Sequence, residues 1–424
     1  MLQQNKDKHE AFTSILRDEL QMALGCTEPI AIAYCAAYTT RLLGKCADRF
    51  EVYCSGNIIK NVKAVTVPQT GGMVGIEAAV LIGAIAGDAS LKMEVLSHVT
   101  DQNREELIQR MNQGIVKVNL LNTAHPLHII IEAFSGQNSA SVEIVDEHTQ
   151  LGTVKKNGKV LHQLEKDAVK DNLKQRQALN LKDILEYANT VELAEVEDVL
   201  ERQIKCNLEI SQEGLSNMWG AAVGQTLMKN EKDLYAKLCA AASAGSDARM
   251  NGCAMPVVTN SGSGNQGMTI SIPVALYAKE KKYSRETMLR GLCVANLTAV
   301  HQKAAIGKLS AFCGAVSAAA GAACGIAFMD GADLGVISQT LVNCIASVGG
   351  MVCDGAKSSC AAKIAIALNS AFIGYEMAKL DRGFRNGEGI VKEDVEATIS
   401  SVGRMAAKGM RQTDTEILNI MIGK

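Results

Sequence analysis

The chain has 424 residues, 47% hydrophobic and 21% charged, the balance of a folded globular protein long enough for a large core. A formal net charge of −2 and only 4% aromatic residues exclude the basic and stacking surfaces that bind nucleic acid, and the basic footprint of an anionic-membrane binder. The first ten residues are polar with no apolar secretory core, so the 13 cysteines are expected to be reduced thiols of a cytoplasmic protein, most of them small core residues.

In chain order, residues 9–24 read as an amphipathic helix with Phe12, Leu16, Leu20 and Ala23 on one face. Gly25 ends it, and Thr27 is expected to cap a second helix, with Glu28 and Pro29 in its first turn, running to about Leu43. Strand-like alternation follows at 50–54, in parts of 60–67, and at 116–120, 127–133 and 141–145. The stretch KKNGK (155–159) predicts a hairpin turn centred on Asn157-Gly158, while 71–87 and 100–113 look helical. The charged stretch 166–177 reads as an edge or a linker. From Val191 onward the pattern is helical except for a glycine-rich break at 255–273, and each of the five prolines is expected at a break. The uncharged run Leu309–Met329 is long enough to span a membrane, but its Ala, Gly, Ser and Cys content predicts a buried, closely packed helix instead. The fold class is therefore α+β: a largely helical domain (1–45 and 191–424) with an inserted mixed α/β domain (46–190).

Four stretches carry candidate chemistry. Cys353 and Cys360 stand seven positions apart across Asp354-Gly355, with Cys313 40 positions before Cys353. This spacing admits two readings: small buried thiols, or three soft ligands for zinc or an iron–sulfur cluster with a fourth position open. In GCTEP (25–29), Cys26 precedes a helix start, which favours its thiolate, while Glu28 opposes it; the alternative is a small residue at a tight turn. In TNSGSGNQG (259–267), glycines let backbone N–H groups approach an anion, and Ser261, Gly262, Asn265 and Gln266 are candidate substrate contacts. Its flanks match neither a Walker A loop nor a dinucleotide fingerprint. Asn57, Gln69 and Thr70 are either pocket residues or turn residues. His125 and His128 are spaced to point apart on a strand, and His301 reads as a satisfied core histidine.

Together, GCTEP, TNSGSGNQG, SAFCGAVSAAAG and VCDGAKSSC resemble, in order and over essentially the whole chain, the L-cysteine desulfidases within the wider iron–sulfur L-serine dehydratase alpha-like group. The resemblance implies one 4Fe–4S cluster per chain held by Cys313, Cys353 and Cys360, and Cys26 as proton acceptor. It implies β-elimination of L-cysteine to pyruvate, ammonia and hydrogen sulfide without pyridoxal phosphate, with cluster iron as Lewis acid. Thr27, Asn57, Ser261, Gly262, Asn265 and Gln266 are the expected substrate-binding residues. The chain lacks the Ser-Ser-His-Thr motif and the longer, proline-rich ligand loop of the serine dehydratases, which favours the desulfidases. L-serine ammonia-lyase, a non-catalytic cluster-based sensor and a zinc-stabilised helical protein are the competing readings. The expected partner is a small amino-acid substrate, with neither nucleic acid nor membrane, and the small-residue helices suggest a homodimer.

Overall fold

The computed structural model describes residues 2–164, 175–229, 233–307 and 309–424. Helix and sheet are both present, as expected of an α+β chain. Strand β1 (Met22–Leu24) pairs antiparallel with the distant strand β8 (Pro256–Val258). Between them in sequence lies a six-stranded sheet of β2 (Arg49–Cys54), β3 (Val116–Leu120), β4 (His128–Ser135), β5 (Asn138–Val145), β6 (Leu151–Lys156) and β7 (Lys159–Gln163). Its order is β3-β2-β4-β5-β6-β7, with β2 and β3 parallel and the other neighbours antiparallel. Asn157 and Gly158 turn β6 into β7 with positive φ at both, the geometry anticipated from KKNGK.

Period-two burial builds one face of this sheet. Phe50, Val52 and Cys54, then Ile129, Ile131 and Ala133, then Ala140, Val142 and Ile144 all point inward. The helix Thr27–Leu43 packs across β4 and β5 and against the helix Ile76–Ala86. Its buried residues therefore join the sheet's core, although the sequence reading grouped residues 1–45 with the helical body. The reason is composition: the helix buries Ala31, Ala33, Ala36 and Ala37, a surface thin enough to lie flat on β-branched strands. A second core unites the first helix with the helices from Leu181 onward.

Gly83 shows how close that helix pair is: a Cβ there would lie 2.3 Å from the Ala33 carbonyl oxygen. Gly83→Ala is expected to cost about 1–3 kcal/mol, read as a lowered denaturation midpoint with an unchanged slope. A pH effect arises in the same sheet. The His128 ring hydrogen-bonds Glu143 at 2.8 Å and the Thr153 N–H donates to it, so despite partial burial the Glu143 carboxyl is lowered to about 2. A depressed folded-state pKa stabilises the fold above the ordinary carboxylate pKa, and the contribution is lost as pH falls through about 2. Melting temperature followed from pH 5 down to pH 2 should therefore fall more steeply in the wild type than in Glu143→Gln.

Several local expectations change. The first helix stops at Glu19, because Met22–Leu24 finds a strand partner that a single-segment reading cannot see. The next helix is capped by Cys26, and Thr27 is its first helical residue. Residues 60–67 are not a strand; Gly56–Val62 is a helix. Pro273 lies inside the helix Gly264–Lys281 rather than at a break. His125 precedes β4, so its ring meets that of His128 edge-on at 5.6 Å instead of pointing away. Of the charged stretch 166–177, residues 166–174 lie outside the described residues, and Arg176 pairs with the buried Glu19 at 2.7 Å. The helix Gly314–Met329 is buried, and among the described residues no helix is long and apolar enough to cross a membrane.

Candidate functional site

The β1–β8 pair brings two distant motifs together. It sets GCTEP, just after β1, beside TNSGSGNQG, just after β8. Asn207 pins β8 from both sides: the Val258 N–H donates to its Oδ1 (2.9 Å) and its Nδ2 donates to the Val258 carbonyl (3.1 Å). Asn260 anchors the loop by donating to Asn296 Oδ1 (3.0 Å), itself paired with Gln203. These buried amides are fully used in holding the loop, which makes it a rigid element rather than a flexible connection.

The three late cysteines meet through a short bridge. Phe312 and Val352 pair antiparallel, with the Cys353 N–H on the Ala311 carbonyl (2.7 Å) and the Cys313 N–H on the Met351 carbonyl (3.0 Å). Cys313 caps the helix Gly314–Met329, and Cys360 is the first residue of the helix Cys360–Lys379. Two cysteines thus sit where helix dipoles favour negative charge. The connecting loop is held by lysines: Lys60 Nζ donates to the Cys353 carbonyl (3.2 Å), Lys363 to that of Val352 (2.8 Å) and Lys357 to that of Asp354 (2.9 Å). Lys60 also pairs with Asp414, and Lys363 with Asp354. Gly355 has φ +95 and backs onto the Lys60 carbonyl, which leaves no room for a side chain.

One cavity of about 110 Å³ collects Cys26, Asn265, Gln266, Cys313, Cys353 and Cys360, six of the residues singled out from sequence. The others lie around it. Thr27 and Gly262 border a neighbouring cleft of about 600 Å³, Ser261 turns inward onto Asn260 Oδ1 (2.9 Å), and Asn57 lines a separate cleft of about 580 Å³. Gln69 and Thr70 are turn residues, the Thr70 hydroxyl donating to the Val67 carbonyl at 2.7 Å. The clefts of about 720 and 650 Å³ contain none of these four cysteines and belong to different parts of the molecule.

Sequence reasoning missed Arg249 and Asn61, which share the cavity, and gave Glu28 only an opposing role. Arg249, at the end of the helix Leu234–Met250, shows itself as a buried charge only once the chain is folded. Cys26 Sγ donates to Glu28 Oε2 at 3.3 Å, and the Thr27 hydroxyl donates to the same oxygen at 2.9 Å. Asn61 Nδ2 donates to Glu28 Oε1 at 3.1 Å. Burial pushes the Cys26 thiol up, Glu28 pushes it further, and Arg249 only partly opposes them. Burial also acts to raise Glu28, but His148, the backbone N–H, Arg249 and the Thr27 hydroxyl outweigh it and hold the carboxyl low. The resting pair is therefore a thiol beside a carboxylate, not the free thiolate that a helix N-terminus alone would favour.

Burial pushes the Cys313 thiol up to about 12, with Cys353 and Cys360 adding to it, and Cys360 is raised for the same first reason despite keeping some exposed surface. That mutual influence means the three sulfurs share one environment. Among the described residues no three His, Cys, Asp or Glu side chains converge tightly enough to grip a single metal ion. A cluster is held differently, with each thiolate on its own iron and the thiolates spread around it. An all-cysteine donor set, bordered by helix N-termini and lysines that offset thiolate charge, fits such a soft group.

The cavity is thus lined by four cysteines, with a thiol–carboxylate pair on its wall. Residues 90–419 match the serine dehydratase alpha chain family, and the chain belongs to it. The matched region includes the glycine-rich loop and all three late cysteines, while Cys26 lies ahead of it. The chain is 48% identical over 414 residues to a UPF0597 protein of Finegoldia magna, covering 97% of this chain and 99% of that one. It is 46% identical over 415 residues to a UPF0597 protein of Lachnoclostridium phytofermentans, covering 98% and 100%. A UPF0597 protein of Treponema denticola is 44% identical over 426 residues, covering 99% of each.

Proposed function

We propose that the chain is an L-cysteine desulfidase, a carbon–sulfur lyase that needs no pyridoxal phosphate, with Cys313, Cys353 and Cys360 as ligands of a 4Fe–4S cluster. The observation that carries the reading is the gathering of Cys26 and the three late cysteines on one small cavity. Family membership supports a lyase of the serine dehydratase kind. Bound there, the cluster supplies a Lewis-acidic iron.

The chain's own residues manage the proton. Glu28 Oε2, 3.3 Å from Cys26 Sγ, takes the thiol proton, and the resulting thiolate accepts the Cα proton of L-cysteine. The electron pair left on Cα forms the Cα–Cβ double bond as the Cβ–S bond breaks, and the departing HS− takes the proton held by Glu28 and leaves as hydrogen sulfide, which restores the thiol–carboxylate pair. The 2-aminoacrylate product tautomerises to the imine, which water hydrolyses to pyruvate and ammonium. Buried walls, including Phe312 and Ile364, keep bulk water from the carbanion-like centre.

Family membership also supports L-serine as a rival substrate. The test is product analysis with oxygen excluded, each amino acid supplied separately. The proposal predicts pyruvate, ammonium and sulfide in equal amounts from L-cysteine and a lower rate with L-serine. Pyruvate from L-serine alone would make the protein a serine dehydratase, and no pyruvate from either would sink the lyase reading.

A further inference from the structure

Three buried polar atoms on the wall of the cysteine cavity have no hydrogen-bond partner within the fold: Arg249 Nη2, Asn61 Oδ1 and Gln266 Oε1. Arg249 is 2% exposed, and Asn61 and Gln266 are 6% exposed each. Buried polar groups are nearly always satisfied, so three open ones on a single small cavity call for an occupant.

The rest of the Arg249 and Asn61 side chains is held in place by hydrogen bonds. Arg249 donates through Nε to the Gly25 carbonyl (3.0 Å) and through Nη1 to Asn265 Oδ1 (3.2 Å), leaving Nη2. Asn61 spends its Nδ2 on the Glu28 carboxylate, which can only accept, and this fixes Oδ1 as the open atom. The Gln266 amide lies against Gly314, where a Cβ would come within 2.6 Å of its carbonyl carbon. Next to Cys313, glycine is the residue that leaves this amide its room.

The open set is one cationic donor and two neutral acceptors, within a cavity of about 110 Å³. A carboxylate needs the first and an ammonium group needs the second. We infer that this cavity recognises a small free α-amino acid by both of its charged ends, Arg249 taking the carboxylate and Asn61 with Gln266 taking the ammonium. The inference deepens the desulfidase reading, on which it rests for the location of the reaction. It also narrows the ligand to free amino acids, since a peptide lacks one or both charged ends at any given residue.

Equilibrium binding of three probes that cannot undergo elimination tests it by calorimetry: L-alanine, L-alaninamide, which lacks the carboxylate, and L-lactate, which lacks the ammonium. Wild-type protein is expected to prefer L-alanine to each of the others by at least about tenfold, the scale of one charge-assisted hydrogen bond. Arg249→Lys should remove most of the preference over L-alaninamide while keeping that over L-lactate, and Gln266→Leu should do the reverse. Equal weakening of all three probes in Arg249→Lys, or unchanged preferences in both variants, would overturn the inference, as would a wild type indifferent to the three probes. If Arg249→Lys fails to fold, as judged by circular dichroism, Gln266→Leu decides alone. L-alanine selected in this way without turnover of L-cysteine or L-serine would remove the desulfidase reading and leave the recognition standing. Turnover with unaltered probe preferences in the variants would do the opposite.

Discussion

Glu28→Gln should lose about 10²- to 10⁴-fold in turnover of L-cysteine, and Cys26→Ala should lose at least as much, with iron content unchanged in both. The expectation follows from the pairing at 3.3 Å: a thiol pushed up by burial is a poor base until a neighbour removes its proton. Glu28 is the carboxylate hydrogen-bonded to that thiol, kept ionised in spite of its burial by His148, Arg249 and the Thr27 hydroxyl. The sign of the pH dependence follows. A carboxyl held low gives an acid limb below the usual carboxylate range, with activity lost as Glu28 gains its proton, and Glu28→Gln should lack that limb. Neither residue is a proposed cluster ligand, so a full iron complement with no turnover separates a proton-transfer role from a structural one. Undiminished activity in Cys26→Ala would remove it as the base.

Alanine at Cys313, Cys353 or Cys360 should abolish both cluster binding and turnover, each substitution alone being sufficient. The same change at Cys324 or Cys344 should leave both near wild type. All five are cysteines of apolar surroundings, but Cys324 and Cys344 are wholly enclosed in the helical core, where they act as small hydrophobes. Cys313, Cys353 and Cys360 instead border a cavity and influence one another electrostatically. Iron content and pyruvate formation, measured on the same preparations, check the contrast. Retention of iron by Cys353→Ala, or its loss in Cys344→Ala, would contradict the ligand assignment.

The elements that sequence predicted well are those with local periodicity. The alternation at 127–133 and 141–145 and the Asn157-Gly158 turn depend on neighbours along the chain, and they appear within β4 (His128–Ser135), within β5 (Asn138–Val145) and between β6 and β7. The pairing of β1 with β8 depends on residues 22–24 meeting residues 256–258, and no local pattern announces it. That one contact explains why GCTEP and the glycine-rich loop face the same cavity. Packing also decided the allegiance of Thr27–Leu43, an alanine-rich helix that could cover sheet or helix equally well by composition. In the site, the cysteine spacing left buried thiols and metal ligands both open, and it was the resemblance to a known family that singled out Cys26, Cys313, Cys353 and Cys360, which meet at one cavity. Arg249 and Asn61 were not legible, since their importance lies in atoms left open after their other hydrogen bonds are made, a property of the assembled structure alone.

The most direct test of the account is the iron and acid-labile sulfide content of protein purified without oxygen, wild type beside Cys353→Ala. The account predicts about four of each per wild-type chain and almost none in the variant. Wild-type protein that holds no iron even after reconstitution with iron and sulfide would contradict it.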